Sequence, residues 1–176
     1  MKRQADYDAT RAELIEMARI DQEMRNESTE TGEWDASVDE HNTARLKQII
    51  GEIGWPRISQ VGFEAAQDAW LLAQHADADV AFQESCLIAI RQLPADEYRA
   101  SNLAYLEDRV RVNTGRPQLY GTQFMGSGDE FGPRPIEDEA HVDERRAVVG
   151  LGLLDEYRAQ MEQFRQRPPE RAEPEA

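Results

Sequence analysis

Between Gly62 and Ala76 the chain reads Gly-Phe-Glu-Ala-Ala-Gln-Asp-Ala-Trp-Leu-Leu-Ala-Gln-His-Ala. Alanine and leucine are strong helix formers, and apolar residues on more than one side predict a helix buried among its neighbours. Those neighbours can be read from apolar stripes at helical spacing. Leu14, Met17, Ala18, Ile20 or Asp21, and Met24 mark a helix over about 8–31, and Leu46, Ile49, Ile50 and Ile53 mark one over about 38–53. Val80, Phe82, Cys86, Leu87 and Ile90 line a helix at about 79–93, while Tyr98, Leu103, Leu106 and Val110 line one at about 96–113. Gly32, Gly54-Trp55-Pro56 and Pro94 punctuate the series, since glycine and proline favour helix ends. Shorter helices are expected at about 141–149 and 153–166, separated by Gly150 and Gly152.

Strand character is confined to residues 117–136, where Leu119–Phe124 and Phe131–Ile136 flank a Gly-Ser-Gly-Asp turn. Pro133 and Pro135 restrict the second arm to a sheet edge. The expected fold is mainly α: a single-domain bundle of about six helices over residues 1–166, with one small β-hairpin insertion at about 117–136. Residues 167–176, rich in proline and mixed charge, are expected to be a disordered tail.

Aspartate and glutamate number 35 against 20 lysines and arginines, a formal charge of −15. A phosphate-binding surface needs clustered basic residues, so nucleic acid is excluded as a partner, whereas a basic protein partner is compatible. No apolar run reaches the roughly 18 residues of a membrane span. The N-terminal stretch has no apolar core of the signal-peptide kind, and a cytoplasmic location is the expectation. Cys86, the single cysteine, lies on an apolar helix and reads as a buried structural thiol.

Two groups of residues carry candidate chemistry. Gln74-His75-Ala76-Asp77, with Asp79, falls at the corner of a helical hairpin. There His75 is placed to act as a general acid or base, with Asp77 or Asp108 as its orienting carboxylate. Gln118, Tyr120, Thr122 and Gln123 form the second group, with Gly121 permitting close backbone approach. Tyr120, Gln118 and Gln123 would contact a polar ligand, and Arg109 and Arg145 would clamp an anionic part of it. The plainer readings are a histidine at a helix end and a hairpin stitched by hydrogen bonds. Asp21 and Arg25, four residues apart on one helix face, read as a surface ion pair. The zinc-protease, phosphate-loop and nucleophile-elbow motifs are absent. The spacing of His41, His75 and His141 does not predict a metal site, and no cofactor is expected.

The polar motifs together resemble a bacterial family of small, mostly helical proteins of unknown function. The resemblance rests on Asp21-Gln22-x-x-Arg25, Asn42, Leu46, Gly54-Trp55-Pro56, Gln74-His75-Ala76-Asp77 and Asp108-Arg109-Val110. It continues through Pro117-Gln118-x-Tyr120-Gly121-Thr122-Gln123, Pro135-Ile136-Glu137-Asp138, Asp143-x-Arg145-Arg146 and Gly150-Leu151. It implies a helical fold and no particular activity. Acids, arginines, glutamines and a histidine that core packing does not demand point to a polar pocket. The leading expectation is a metal-independent hydrolase or transferase acting on a small polar or peptide-like substrate. The alternative is a non-catalytic ligand- or protein-binding module with an acidic surface, centred on the acid-rich segment 126–144.

Overall fold

The structure, a computed structural model, describes residues 4–127 and 130–166. The expected disordered tail and Gly128-Asp129 of the hairpin turn lie outside the described residues. Eight helices are described: α1 (Gln4–Thr31), α2 (Ala36–Ile53), α3 (Ile58–Val61), α4 (Phe63–Gln74), α5 (Val80–Arg91), α6 (Ala100–Asn113), α7 (Val142–Val148) and α8 (Leu154–Gln166). Two short strands, β1 (Phe124–Met125) and β2 (Gly132–Pro133), pair antiparallel with Phe124 opposite Pro133. The protein is mainly α with a small β-hairpin.

The alanine-rich segment becomes α4, which touches α1, α2, α3, α5 and α6. Ala65, Ala69 and Ala73 are completely buried, and their short side chains let the surrounding backbones approach closely. Leu14 and Met17 from α1, Leu46 and Ile49 from α2, Cys86 and Ile90 from α5, and Leu106 and Val110 from α6 fill the space around it. Burial pushes the Cys86 thiol up to about 12, so it packs as a small apolar group.

Side-chain contacts fix the helix directions. The α1 residues Tyr7, Arg11 and Asp21 meet Gln60, Gly62 and His75 in turn, so α1 runs parallel to α4. Arg45 bonds Glu13 and Arg25 bonds Asp39, so α2 runs antiparallel to α1. Asp35 caps α2 and Asp79 caps α5, each accepting a backbone amide at 3.0 Å, an arrangement that satisfies otherwise orphaned donors.

The apolar periodicity does not announce α3. It forms because Glu97 turns back to accept both the Ser59 amide (2.9 Å) and the Ser59 hydroxyl (2.6 Å). The same recruitment holds residue 97 out of α6, which begins at Ala100 rather than near 96.

Beyond α6 the chain turns at Gly115 and forms a bridge in which Gln118 lies parallel to Ile136. Gly121 sits inside this loop at φ +68°. A Cβ added there would lie 2.7 Å from Leu154 Cδ1 and 2.9 Å from Ile136 Cδ1. Both the backbone angle and the close approach therefore demand glycine. Gly121→Ala should lower the unfolding free energy by about 1–3 kcal/mol. Urea denaturation followed by far-UV circular dichroism measures this, and an unchanged midpoint would contradict the packing described.

Candidate functional site

Asp21 is fully buried where α1, α2 and α4 meet. His75 Nδ1 lies 2.8 and 3.0 Å from its two carboxylate oxygens. Arg25 donates from Nε and Nη2, each at 3.2 Å, and Gln22 donates at 2.8 Å. Burial raises the Asp21 pKa, but the hydrogen bonds from His75 and Arg25, with the positive charge of His75, hold it below the usual carboxylate range. Arg25 Nη2 reaches on to Asp39 at 2.6 Å, and the guanidinium lies 4.8 Å from the Trp34 ring centroid. Burial dominates at Asp39 and lifts its pKa; Arg25 opposes the rise, whereas Asp21 and Asp77 add to it.

The ring orientation of His75 follows from this geometry. Arg25 Nε also lies 3.0 Å from Nδ1, but two donors converging on one carboxylate do not bond each other. An ionised carboxylate only accepts, so Nδ1 carries a proton and donates it to Asp21. Nε2 bonds no described residue, and the side chain keeps 17% of its exposure. Neutral His75 therefore presents a lone pair at Nε2.

Two residues on, Asp77 faces another way. It accepts Arg109 Nε at 2.8 Å and bonds Arg109 Nη2, with Asn113 at 2.9 Å and Gln83 at 3.1 Å. Burial works against its charge, but Arg109 outweighs it and the pKa falls. Arg109 Nη1 in turn donates to Gln123 Oε1 at 2.9 Å. One guanidinium thus joins the Gln-His-Ala-Asp segment to the Tyr-Gly-Thr-Gln segment. The buried Gln83 completes this network by donating to the carbonyls of Ala73 and Gln74 at the end of α4.

The loop 117–123 is held by its own clamps. Asp108, fully buried, accepts the amides of Leu119 (2.6 Å), Tyr120 (3.1 Å) and Thr122 (3.0 Å) and the Thr122 hydroxyl (2.9 Å). Gln118 donates to the carbonyls of Gln123 and Arg134 and accepts the Gln123 amide. Arg145 takes the carbonyls of Leu119, Glu137 and Asp138; Arg146, 2% exposed, takes those of Tyr120 and Gly152. The Tyr120 hydroxyl makes no hydrogen bond to a described residue. Burial, with the negative charges of Glu107 and Asp108, raises its pKa.

A family model described as "Family of unknown function (DUF6624)" matches residues 8–165. The chain belongs to this family. No curated protein and no solved structure matches it. The DUF6624 match contains every residue of the networks above.

Of the residues singled out in sequence, the structure links Asp77, Arg109 and Gln123 directly. His75 lies beside them in the chain but bonds elsewhere. The orienting carboxylate of His75 is Asp21, not Asp77 or Asp108, because Asp77 is taken by Arg109 and Asp108 by loop amides. Asp21 and Arg25 are not a surface pair, and with Asp39 they are the members that spacing alone missed. A signal for Asp21 was present: it falls four residues after Met17 and three before Met24, inside the apolar stripe of α1, where a carboxylate must be buried. Tyr120 and His75 share no bonded partner. His41 and His141 lie in other surroundings, the latter exposed against Asp138. Among the described residues, no group of three or more His, Cys, Asp or Glu side chains is disposed to hold a metal ion.

A depressed carboxylate pKa in the folded state stabilises the fold above the unfolded pKa, and that stability is lost as pH falls through the folded value. Asp21→Asn should therefore be less stable than the native chain at pH 7 by about 2–4 kcal/mol. The gap should close as pH falls below the ordinary value of 3.8. Denaturant titrations of both proteins across this range test the sign, and a gap that widens in acid would refute it.

Proposed function

We propose that the protein is an enzyme of the acid–base type, a hydrolase or transferase acting on a small polar or peptide-like substrate at His75. The observation that carries this reading is the ring itself. Nδ1 is held on a buried carboxylate, while Nε2 is unbonded and reachable. A general base needs an accessible lone pair, a fixed tautomer and a negative charge behind it to stabilise the imidazolium. In this reading Nε2 removes a proton from water or a substrate hydroxyl as its oxygen attacks a carbonyl carbon. The same proton then passes to the departing oxygen or nitrogen.

Asp21 is a positioning residue here, and Arg25 keeps it ionised. Asp39 bonds the Arg25 guanidinium and so fixes the arginine that faces Asp21. Asp77, Arg109 and Gln123 fix the position of the second polar segment relative to the corner. Asp108, Gln118 and Arg145 serve by holding the backbone of the 117–123 loop, since their hydrogen-bonding groups are occupied there. Tyr120, with its hydroxyl unengaged, remains a substrate contact.

The alternative, a binding module with an acidic face, draws less support from the 126–144 segment. Glu137 bonds Arg111, Glu139 bonds Arg158 at 2.5 Å, and Asp143 accepts the Leu154 amide at 2.8 Å. Acids with internal partners leave less charge for a basic protein.

Nitrogen-15 NMR of the imidazole tests the reading without a known substrate. Neutral His75 should be the Nδ1–H tautomer, and Asp21→Asn should shift it toward a mixture. A native Nε2–H tautomer would remove the proposed base. Once a screen of small esters and amides yields a turnover, His75→Gln should lower kcat by about 10²–10⁴-fold.

A further inference from the structure

A groove of about 360 Å³ opens where α1 ends and the connection to α2 begins, lined by Met24, Glu27, Thr31, Glu33, Trp34 and Asp35. Met24 is buried and gives the groove an apolar floor, whereas Trp34 stays 53% exposed. The indole already shows what it accepts. The Arg25 guanidinium lies 4.8 Å from its ring centroid, and a guanidinium over an indole is held by the ring quadrupole. Arg25 itself is committed to Asp21 and Asp39. It covers one face of the ring, and the exposed remainder of the residue borders the groove.

The charge around the ring is not compensated. Glu27 and Glu33 are exposed and pair with no lysine or arginine among the described residues. Asp35 is engaged only by the neutral Ser37 amide and hydroxyl. Between Arg25 and Arg45 the chain carries six acids and neither lysine nor arginine; His41 lines a different cleft, between α1 and α2. The last turn of α1 holds no basic residue either, so the partial negative charge of a helix C-terminus adds to that of the carboxylates. An indole face beside carboxylates calls for a flat cation. A guanidinium stacks on the ring and offers a planar fork of N–H donors to a carboxylate. The walls are exposed side chains rather than an enclosure, a setting for a side chain that projects from a larger surface. The net charge of −15 steers basic partners toward the chain. We infer that this groove receives an arginine side chain of a basic protein partner, with Trp34 as its anchor. The inference rests neither on the role of His75 nor on the 126–144 segment.

Acetyl-glycyl-arginyl-glycinamide is the probe, titrated into the full chain while the indole N–H of Trp34 is followed by NMR. The citrulline peptide, equal in shape but uncharged, and the free guanidinium ion are the comparisons. Expected is a saturable shift with the arginine peptide, weakened by salt and about fivefold or more weaker with either comparison. Trp34→Ala, followed by calorimetry, should weaken binding about threefold or more. Glu27→Gln combined with Glu33→Gln should do the same without touching Arg25. These residues are exposed, so the fold should stand in every variant. Glu144→Gln, which removes the same charge from α7, should bind as the native chain does. Absence of a saturable shift, or equal affinity for the citrulline peptide, would overturn the inference. Equal affinity for free guanidinium would overturn it by making the groove a small-cation site. A loss in Glu144→Gln as large as in the paired glutamate variant would do so by reducing the effect to overall charge.

Discussion

Everything at the helix corner depends on one buried carboxylate. Asp21 has no exposure, and an ionised acid in that position is tolerable only if its oxygens are filled. Gln22 and Arg25 supply donors from α1 itself, and His75 supplies one from the end of α4. Arg25 extends the chain of contacts to Asp39 on α2. Three helices are thereby fixed in relative height as well as in contact. Apolar packing alone, which is non-directional, would leave that height less defined.

The placement of His75 has a second determinant in the backbone. His75 follows the last residue of α4, and its amide still bonds the Leu71 carbonyl at 3.1 Å. Gln83 covers the carbonyls of Ala73 and Gln74, and Asp79 starts the next helix. The imidazole therefore projects from a helix end whose last two backbone carbonyls are already bonded. Asp77, across the turn, belongs to the Arg109 network, so the corner is anchored to α6 and the loop as well. Sites held by regular elements keep side-chain geometry more strictly than sites on free loops.

Much of the fold was legible because it is written in periodicity. The apolar stripes from Leu14 to Val110 place the main helices, and Gly54 and Pro94 place their ends. What stayed hidden depends on contacts distant in sequence. The helix α3 exists because Glu97, 38 residues away, caps Ser59, and no local pattern around Ile58 records that. The candidate site shows the same division. His75 and Asp77 stood out through their chemistry and their turn, but the pairing of His75 with Asp21 spans 54 residues. Asp21 and Arg25 at helical spacing looked like an ordinary exposed pair, and only the apolar neighbours Met17 and Met24 hinted at burial. For Asp108, the charge was visible, but its role depends on backbone amides that any sequence supplies.

The two fully buried acids on α1 and α6 show why burial alone does not identify chemistry. Asp108 is filled by amides of its own loop and a threonine hydroxyl, donors that do not titrate and have no second reactive end. Its negative charge is converted into loop geometry. Asp21 is filled partly by an imidazole, and an imidazole bound at one nitrogen still has another. The same electrostatic requirement, donors for a carboxylate out of water, gives a closed structural knot in one case. In the other it gives a ring held at one nitrogen with the second nitrogen unbonded. An acid that could serve chemistry is one whose partner extends beyond it to an open atom, and Asp21 meets that condition through Nε2 of His75, the atom on which the proposed function rests.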